Sequence, residues 1–132
     1  MINDIVHILP TKKTPDILLD PKGTIKIKGR AIDENKTKIP EQIENWIDTY
    51  LLTPAESTKV IIALEYLNSF NTIILTSALK RLSLVKQQSK KLVIQWYIED
   101  DDDELLERSE YISSSLYIPI EFILTNDIKS CY

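Results

Sequence analysis

The second half of the chain alternates strand-like apolar runs with segments of helical periodicity. Thr58 to Leu67 carries Val60 to Leu64 without polar alternation, as a strand covered on both faces does. Leu92 to Ile98 and Ile118 to Leu124 are further strand-like runs. This alternation predicts parallel strands joined by right-handed crossovers in one α/β sheet.

The first third consists of short extended segments separated by turn residues. Asp4 to Leu9 predicts a first strand. Asp16 to Leu19 and Thr24 to Lys28 flank Asp20-Pro21-Lys22-Gly23, where Pro and Gly favour a tight turn. The pattern therefore predicts an N-terminal β-hairpin.

Three segments have the apolar spacing of amphipathic helices. The first follows a polar loop over 33–38, opens at Pro40 and is closed by Pro54. The second begins at Asn68 and Ser69 and runs to about Lys86, and the third follows the acidic run through Leu105 and Ile112. We expect a single α/β domain over 1–132, a mixed sheet with an N-terminal hairpin followed by βαβαβ-type crossovers and about three helices, with 1–10 and 125–132 peripheral or frayed.

Composition excludes several functional classes. Sixteen Lys and Arg against twenty Asp and Glu give a net charge of −4, which disfavours nucleic acid as a partner. No apolar run approaches the roughly 20 residues that span a bilayer, so membrane insertion is not expected. Two glycines are too few for a dinucleotide-binding fingerprint or a Walker-type phosphate loop. The single Cys131 favours a reducing compartment, and the cytoplasm is the expected location.

Two junctions between a strand and the following helix are candidate sites, because sites in parallel sheets form beyond the carboxyl ends of the strands. The first places Asn68, Ser69 and Thr72 at the start of a helix, where a hydroxyl either caps the helix or accepts a regulatory phosphate. The second is the acidic run Glu99 to Glu104, which is a solvated helix start, a metal site or a docking surface for a basic partner.

Four short motifs occur in order between Thr14 and Phe122. The most specific is the block Trp96-Tyr97-Ile98-Glu99-Asp100-Asp101-Asp102-Asp103, followed by Leu105 to Glu110. The others are Thr14-Pro15, Gly29 followed by Glu34-Asn35, and Leu64-Glu65-Tyr66-Leu67-Asn68-Ser69. Together they resemble the SiaC family, which is typified by a bacterial biofilm-regulatory phosphoprotein and has a STAS-like fold.

The resemblance implies a non-catalytic signalling protein that is controlled by phosphorylation. It implies a Ser/Thr protein kinase (SiaB-like) and a PP2C-type phosphatase as partners, and a diguanylate cyclase that the unmodified form binds. By position the phosphate acceptor falls on Ser69, with Thr72 as second choice. Phe70, Asn71 and Ile73 depart from the family pattern, which has small hydroxyl residues and a lysine there. The candidate partner contacts are Asn68, Phe70, Asn71, Tyr97, Glu99, Asp100, Asp101 and Asp102.

The sequence is also compatible with two other functional hypotheses. One is a small metal-dependent enzyme that uses the acidic run, and the other is a structural or degenerate family member without a switch. No residue set forms a catalytic constellation around the lone His7, so no catalytic residue, metal or cofactor is expected.

Overall fold

A six-stranded mixed sheet forms the protein, in a computed structural model that describes residues 4–33 and 38–132. The strands are β1 (Val6–Ile8), β2 (Asp16–Asp20), β3 (Thr24–Ala31), β4 (Ser57–Leu67), β5 (Lys91–Glu99) and β6 (Glu121–Thr125). The helices are α1 (Ile39–Tyr50), α2 (Ser69–Leu82) and α3 (Asp103–Leu116), with 3-10 helices at Ser83–Gln88 and Ile128–Cys131. The predicted α/β class is confirmed.

The strands lie in the sheet in their order along the chain. β1, β2 and β3 are antiparallel, and β3 through β6 are parallel, so the predicted hairpin precedes three crossovers that contain helices. The hairpin turn depends on Gly23, whose φ is +113°. A Cβ there would stand 2.3 Å from the carbonyl oxygen of Ser57, so both the backbone angle and the space require glycine.

The main core lies between one face of the sheet and the three helices. Along each central strand alternate residues are buried, as a sheet covered by helices on one side requires. Trp96 is fully buried in β5 and packs at 6.3 Å between ring centroids against Phe122. Trp46 of α1 stacks on Tyr50 at 4.9 Å, and all three helices contribute to the same apolar cluster. The two tryptophans are therefore core residues.

The opposite face of the sheet is covered only in part, by the C-terminal residues of the chain. Residues 125–132 are more ordered than the sequence predicts, because the 3-10 helix Ile128–Cys131 packs on β4 and β5. Ile128 is completely buried there, outside the main core cluster. A four-residue turn with one apolar side chain has too short a pattern to be recognised in sequence.

Two element boundaries and one loop also differ from the predicted ones. α2 ends at Leu82 and continues as a 3-10 helix. The last strand begins at Glu121 rather than Ile118, because Ile118 is buried at the end of α3, where its carbonyl oxygen accepts the Ser113 hydroxyl at 2.6 Å. The predicted polar loop, with Glu34 and Asn35 of the family motif, lies outside the described residues at 34–37.

Candidate functional site

The two junctions singled out in the sequence lie at the same end of the sheet, beyond the carboxyl ends of its parallel strands. β4 and β5 are parallel neighbours, with Ile62 opposite Trp96 and Ala63 opposite Tyr97. The chain therefore leaves both strands in the same direction, into the first turns of α2 and α3. Parallel strand ends beside helix N-termini are the usual place for a binding site in such sheets.

A β-bulge reshapes the end of β4 just before the first junction. Gly29 lies opposite Leu64 and Arg30 lies opposite Tyr66, so Glu65 is the extra residue on β4. The Arg30 guanidinium stands 5.3 Å from the centre of the Tyr66 ring, and its Nε lies 3.4 Å from a Glu65 carboxylate oxygen. The bulge thus turns Tyr66 towards solvent, while Leu67 remains buried.

The start of α2 is held by two asparagine side chains. Asn68 is the N-cap, and its Oδ1 accepts the Asn71 amide at 2.9 Å. Its Nδ2 donates to the Ile32 carbonyl at 3.0 Å, and the Asn71 side chain donates to the Asp33 carbonyl at 3.0 Å. These bonds fix the α2 tip, which we define as residues 68–73, against the segment that follows β3.

The two candidate phosphate acceptors differ in accessibility. Ser69 is the first residue of α2 and is exposed. Thr72 is half-buried, and its hydroxyl donates to the Asn68 carbonyl at 2.8 Å. Among the described residues, the backbone amides of Ser69 and Phe70 donate to no protein acceptor, as is usual at a helix start. The Ser69 hydroxyl is therefore the one an enzyme reaches without breaking an internal hydrogen bond.

Exposed apolar side chains occur on both sides of Ser69 in the sequence. Phe70 and Ile73 of the α2 tip are 40% and 70% exposed, and Tyr66 at the end of β4 is 52% exposed. Phe70 and Ile73 are three residues apart and so lie on neighbouring positions of the helix surface. Clustered exposed apolar groups of this kind favour contact with another protein.

Some carboxylates of the acidic run stabilise the start of α3, and others make no described bond. Asp102 is the N-cap of α3 and accepts the Leu105 amide at 3.1 Å. Asp103 and Glu104 occupy the first turn, where the helix dipole favours negative charge. Asp100 and Asp101 are exposed in the loop before the cap and make no described side-chain bond. The free carboxylates are thus those closest to the end of β5.

Arg108 joins the two junctions, and sequence reasoning missed it. Its guanidinium donates to the Leu67 carbonyl at 2.5 Å and to a Glu104 carboxylate oxygen at 3.2 Å. Arg108 and Leu67 line one groove together with Glu65, Tyr66, Asp102, Glu104 and Leu105. The four-residue spacing from Glu104 indicates a helix-surface ion pair, but the bond to β4 depends on the packing of α3.

Two predicted partner contacts lie away from the α2 tip. Tyr97 faces the side of the sheet opposite the helices, where it lines a cavity with Tyr132. A Glu99 carboxylate oxygen accepts the Ile128 amide at 3.4 Å and so holds the C-terminal turn. The structure therefore places Asp102 in one groove with Leu67, the residue before the α2 tip, while Tyr97 and Glu99 lie on the other side of the sheet.

The remaining candidate groups do not belong to the two junctions. His7 is exposed, with its Nε2 2.7 Å from a carboxylate oxygen of Asp16. Within 4–33 and 38–132 no group of three or more His, Cys, Asp or Glu residues is placed to hold a metal ion. In the same ranges no helix is both long and apolar enough to cross a membrane.

Comparison with known proteins gives one family and one fold. The model of the SiaC family regulatory phosphoproteins matches residues 8–125. The structure is similar to that of apo-SiaC from Pseudomonas aeruginosa, with 21% identity, a TM-score of 0.79 and coverage of 91% of this chain and 98% of that one. It is also similar to SiaC from the same organism in complex with the diguanylate cyclase SiaD, which that SiaC activates; identity is 21%, the TM-score is 0.82 and coverage is 91% and 99%. A search of curated protein sequences finds no match.

Proposed function

The chain belongs to the SiaC family of regulatory phosphoproteins, and from this premise we propose that phosphorylation of Ser69 decides whether the α2 tip binds a partner. The unmodified chain binds and activates a diguanylate cyclase. A Ser/Thr protein kinase of the SiaB-like type adds the phosphate, and a PP2C-type phosphatase removes it. The chain acts by binding rather than catalysis, in the cytoplasm where ATP for the kinase is present.

The accessibility of Ser69 is the observation that carries this proposal. Ser69 is exposed at the first position of α2, whereas the Thr72 hydroxyl is half-buried and bonded to Asn68. A phosphate on Ser69 would meet unpaired backbone amides at a helix N-terminus, where an anion is stabilised. The modified side chain would therefore remain at the tip as an ordered dianion instead of disrupting the fold.

A phosphate at the α2 tip changes the surface that a partner meets. The unmodified tip offers a neutral hydroxyl beside the exposed side chains of Phe70 and Ile73. Phosphorylation adds about −1.5 to −2 charges, at an end of the sheet that already carries the free carboxylates of Asp100 and Asp101. A partner that packs on the apolar side chains would then have to desolvate a dianion. A penalty of about 1.4 kcal/mol already weakens binding tenfold.

Charge and size variants at Ser69 test the proposal. We expect Ser69→Ala to bind the diguanylate cyclase of the same organism as the unmodified chain does, and Ser69→Asp to bind it at least about tenfold more weakly. Ser77→Asp is the matched control, because Ser77 is exposed on the same helix two turns further along. Equal binding by Ser69→Asp and Ser69→Ala would refute the switch at this position.

A further inference from the structure

We propose that the face of the sheet opposite the helices is a second docking surface, which binds an acidic amphipathic helix of a partner protein. The surface is formed by alternate residues of four neighbouring strands and does not include the α2 tip. Its members are Leu18 of β2, Lys26 and Lys28 of β3, Lys59 and Ile61 of β4, and Lys91, Val93 and Gln95 of β5. We call it the lysine face.

Four cations of the lysine face, Lys26, Lys28, Lys59 and Lys91, form no ion pair with a described carboxylate. They stand on adjacent strands of a chain whose net charge is −4, so positive charge is concentrated on this side. Such a patch attracts an acidic partner and raises its rate of association.

Acidic residues at the borders of the lysine face are already engaged. Asp16 of β2 pairs with His7, and Asp20 accepts the Lys22 amide at 2.9 Å. Glu121 of β6 accepts the Gln95 side chain at 3.3 Å. Asp16 stands directly opposite Lys28 at one border, whereas Lys26, Lys59 and Lys91 have no carboxylate on a directly paired residue, so positive charge is concentrated around these three.

An apolar floor lies between the lysines. Leu18 and Ile61 are half-buried and Val93 is 43% exposed, although each projects from a strand whose other side packs in the core. Four strands about 4.8 Å apart give a surface about 14 Å wide, which accommodates a helix of about 10 Å diameter. Apolar contact in the middle with charge at the rim is the usual composition of a protein interface.

The chain's own C-terminal turn already packs on part of this side of the sheet. The 3-10 helix Ile128–Cys131 packs on the adjoining part of β4 and β5 and buries Ile128 completely. Between this turn and the sheet is a cavity of about 310 Å³, lined by Lys26, Lys28 and Ile61 on one side and Ser130, Cys131 and Tyr132 on the other. A partner helix on the lysine face would continue the cover that the turn begins.

Charge argues for a different protein rather than a second copy of the chain. Two lysine faces related by twofold symmetry would place like charges opposite each other. Docking of the lysine face on the acidic loop of another copy would be head-to-tail, and such contacts propagate into open assemblies unless they close into a ring. An acidic amphipathic helix satisfies both the lysines and the apolar floor.

Titration of the isotope-labelled full chain with a designed peptide tests the proposal. The probe is an amphipathic helix of Leu and Glu at helical spacing, and its counterpart carries Lys for every Glu. We expect the acidic peptide to shift the amide resonances of Lys26, Ile61 and Val93, and Lys26→Glu with Lys59→Glu to weaken its binding by about tenfold or more. Lys80→Glu with Lys86→Glu is the control, since it makes the same charge change elsewhere on the surface.

The outcomes separate cleanly. Weaker binding in the sheet variant alone, with both variants folded by circular dichroism, supports the lysine face. The proposal is wrong if the acidic peptide does not bind, or if the two variants lose affinity for it equally. It is also wrong if the basic peptide binds equally well, or if the amide resonances that shift are confined to the α2 tip. None of these results bears on Ser69, so this proposal and the phosphorylation switch can fail independently.

Discussion

The guanidinium of Arg108 donates a 2.5 Å hydrogen bond to the carbonyl oxygen of Leu67, the last residue of β4. This bond ties α3 to the point at which the chain turns into α2. Because Asn68 caps α2 and Ser69 is its first residue, the acidic loop and the α2 tip are held in a fixed relation. A charge placed on Ser69 therefore acts within one structured surface.

Replacing Arg108 by Ala should destabilise the chain by about 1 to 2 kcal/mol, because it removes a charge-assisted hydrogen bond from a partly buried carbonyl. The measurement is the free energy of unfolding from urea denaturation. Glu104→Gln is the control: it removes only the exposed ion pair with Arg108, for which about 0.5 kcal/mol or less is expected. Equal losses in the two variants would show that the bond to Leu67 contributes nothing.

The buried pair of Tyr50 and Thr58 predicts a second stability effect. The two hydroxyls are 2.7 Å apart, Thr58 is fully buried, and the Tyr50 oxygen also accepts the Ala55 amide at 3.2 Å. Tyr50→Phe leaves these partners without the phenolic oxygen and should cost about 1 to 3 kcal/mol. A double-mutant cycle with Thr58→Val checks this, since independent, additive effects would be incompatible with a shared hydrogen bond.

The stability of the folded chain should fall at high pH, because the Tyr132 phenol of the C-terminal turn ionises there. Burial, reinforced by the nearby Glu65 and Glu99 carboxylates, raises the pKa of Tyr132 above its ordinary value, although Arg30 opposes this. The folded chain thus favours the protonated phenol. This stabilisation is complete below the unfolded-state pKa of about 10 and is lost as pH rises through the higher folded value.

A phenolate absorbance titration measures this effect. Tyr132 should ionise above the ordinary range of a phenol, and its step should be missing in Tyr132→Phe. Chemical shifts of the buried Ile128 should change with the same step. If the phenol that Tyr132→Phe removes from the titration curve ionises in the ordinary range, the assignment of the high-pH step to Tyr132 is wrong.

Phosphorylation should be confined to the α2 tip. Incubation with the cognate kinase and ATP should modify the peptide that contains Ser69, and Ser69→Ala should abolish the modification while Thr72→Ala retains it. The physical reason is that the Thr72 hydroxyl is half-buried and donates to Asn68. Mass mapping of the peptides checks this, and a phosphate found on Thr72 would reverse the assignment.

Much of the fold was predictable because its signals are local. The unbroken apolar run in β4, the alternation of Ile25 and Ile27 with lysines in β3, and the Pro-Gly turn before β3 each specify one element. Strands that follow each other along the chain are usually neighbours in a sheet, so the adjacency of β4 and β5 was also to be expected. The exposed Ser69 and the capping by Asn68 follow from helix chemistry at the same junction.

The features that sequence reasoning missed depend on distant contacts. The bulge at Glu65 is set by the pairing of β3 with β4, and Arg108 meets Leu67 only after α3 packs. The C-terminal turn is ordered by burial of one side chain, Ile128. Tyr97 and Glu99 belong to the same motif as Asp100 and Asp101, yet the alternation of a strand places them on the other side of the sheet.

The most direct measurement is the affinity of the cyclase for chains that carry phosphoserine at position 69, phosphoserine at position 77, or no phosphate, with each made homogeneous by genetic encoding. We predict that the chain modified at 69 binds at least about tenfold more weakly than the other two, which bind alike. Equal affinity of all three, or tighter binding by the chain modified at 69, would contradict the claim that charge on Ser69 releases the partner.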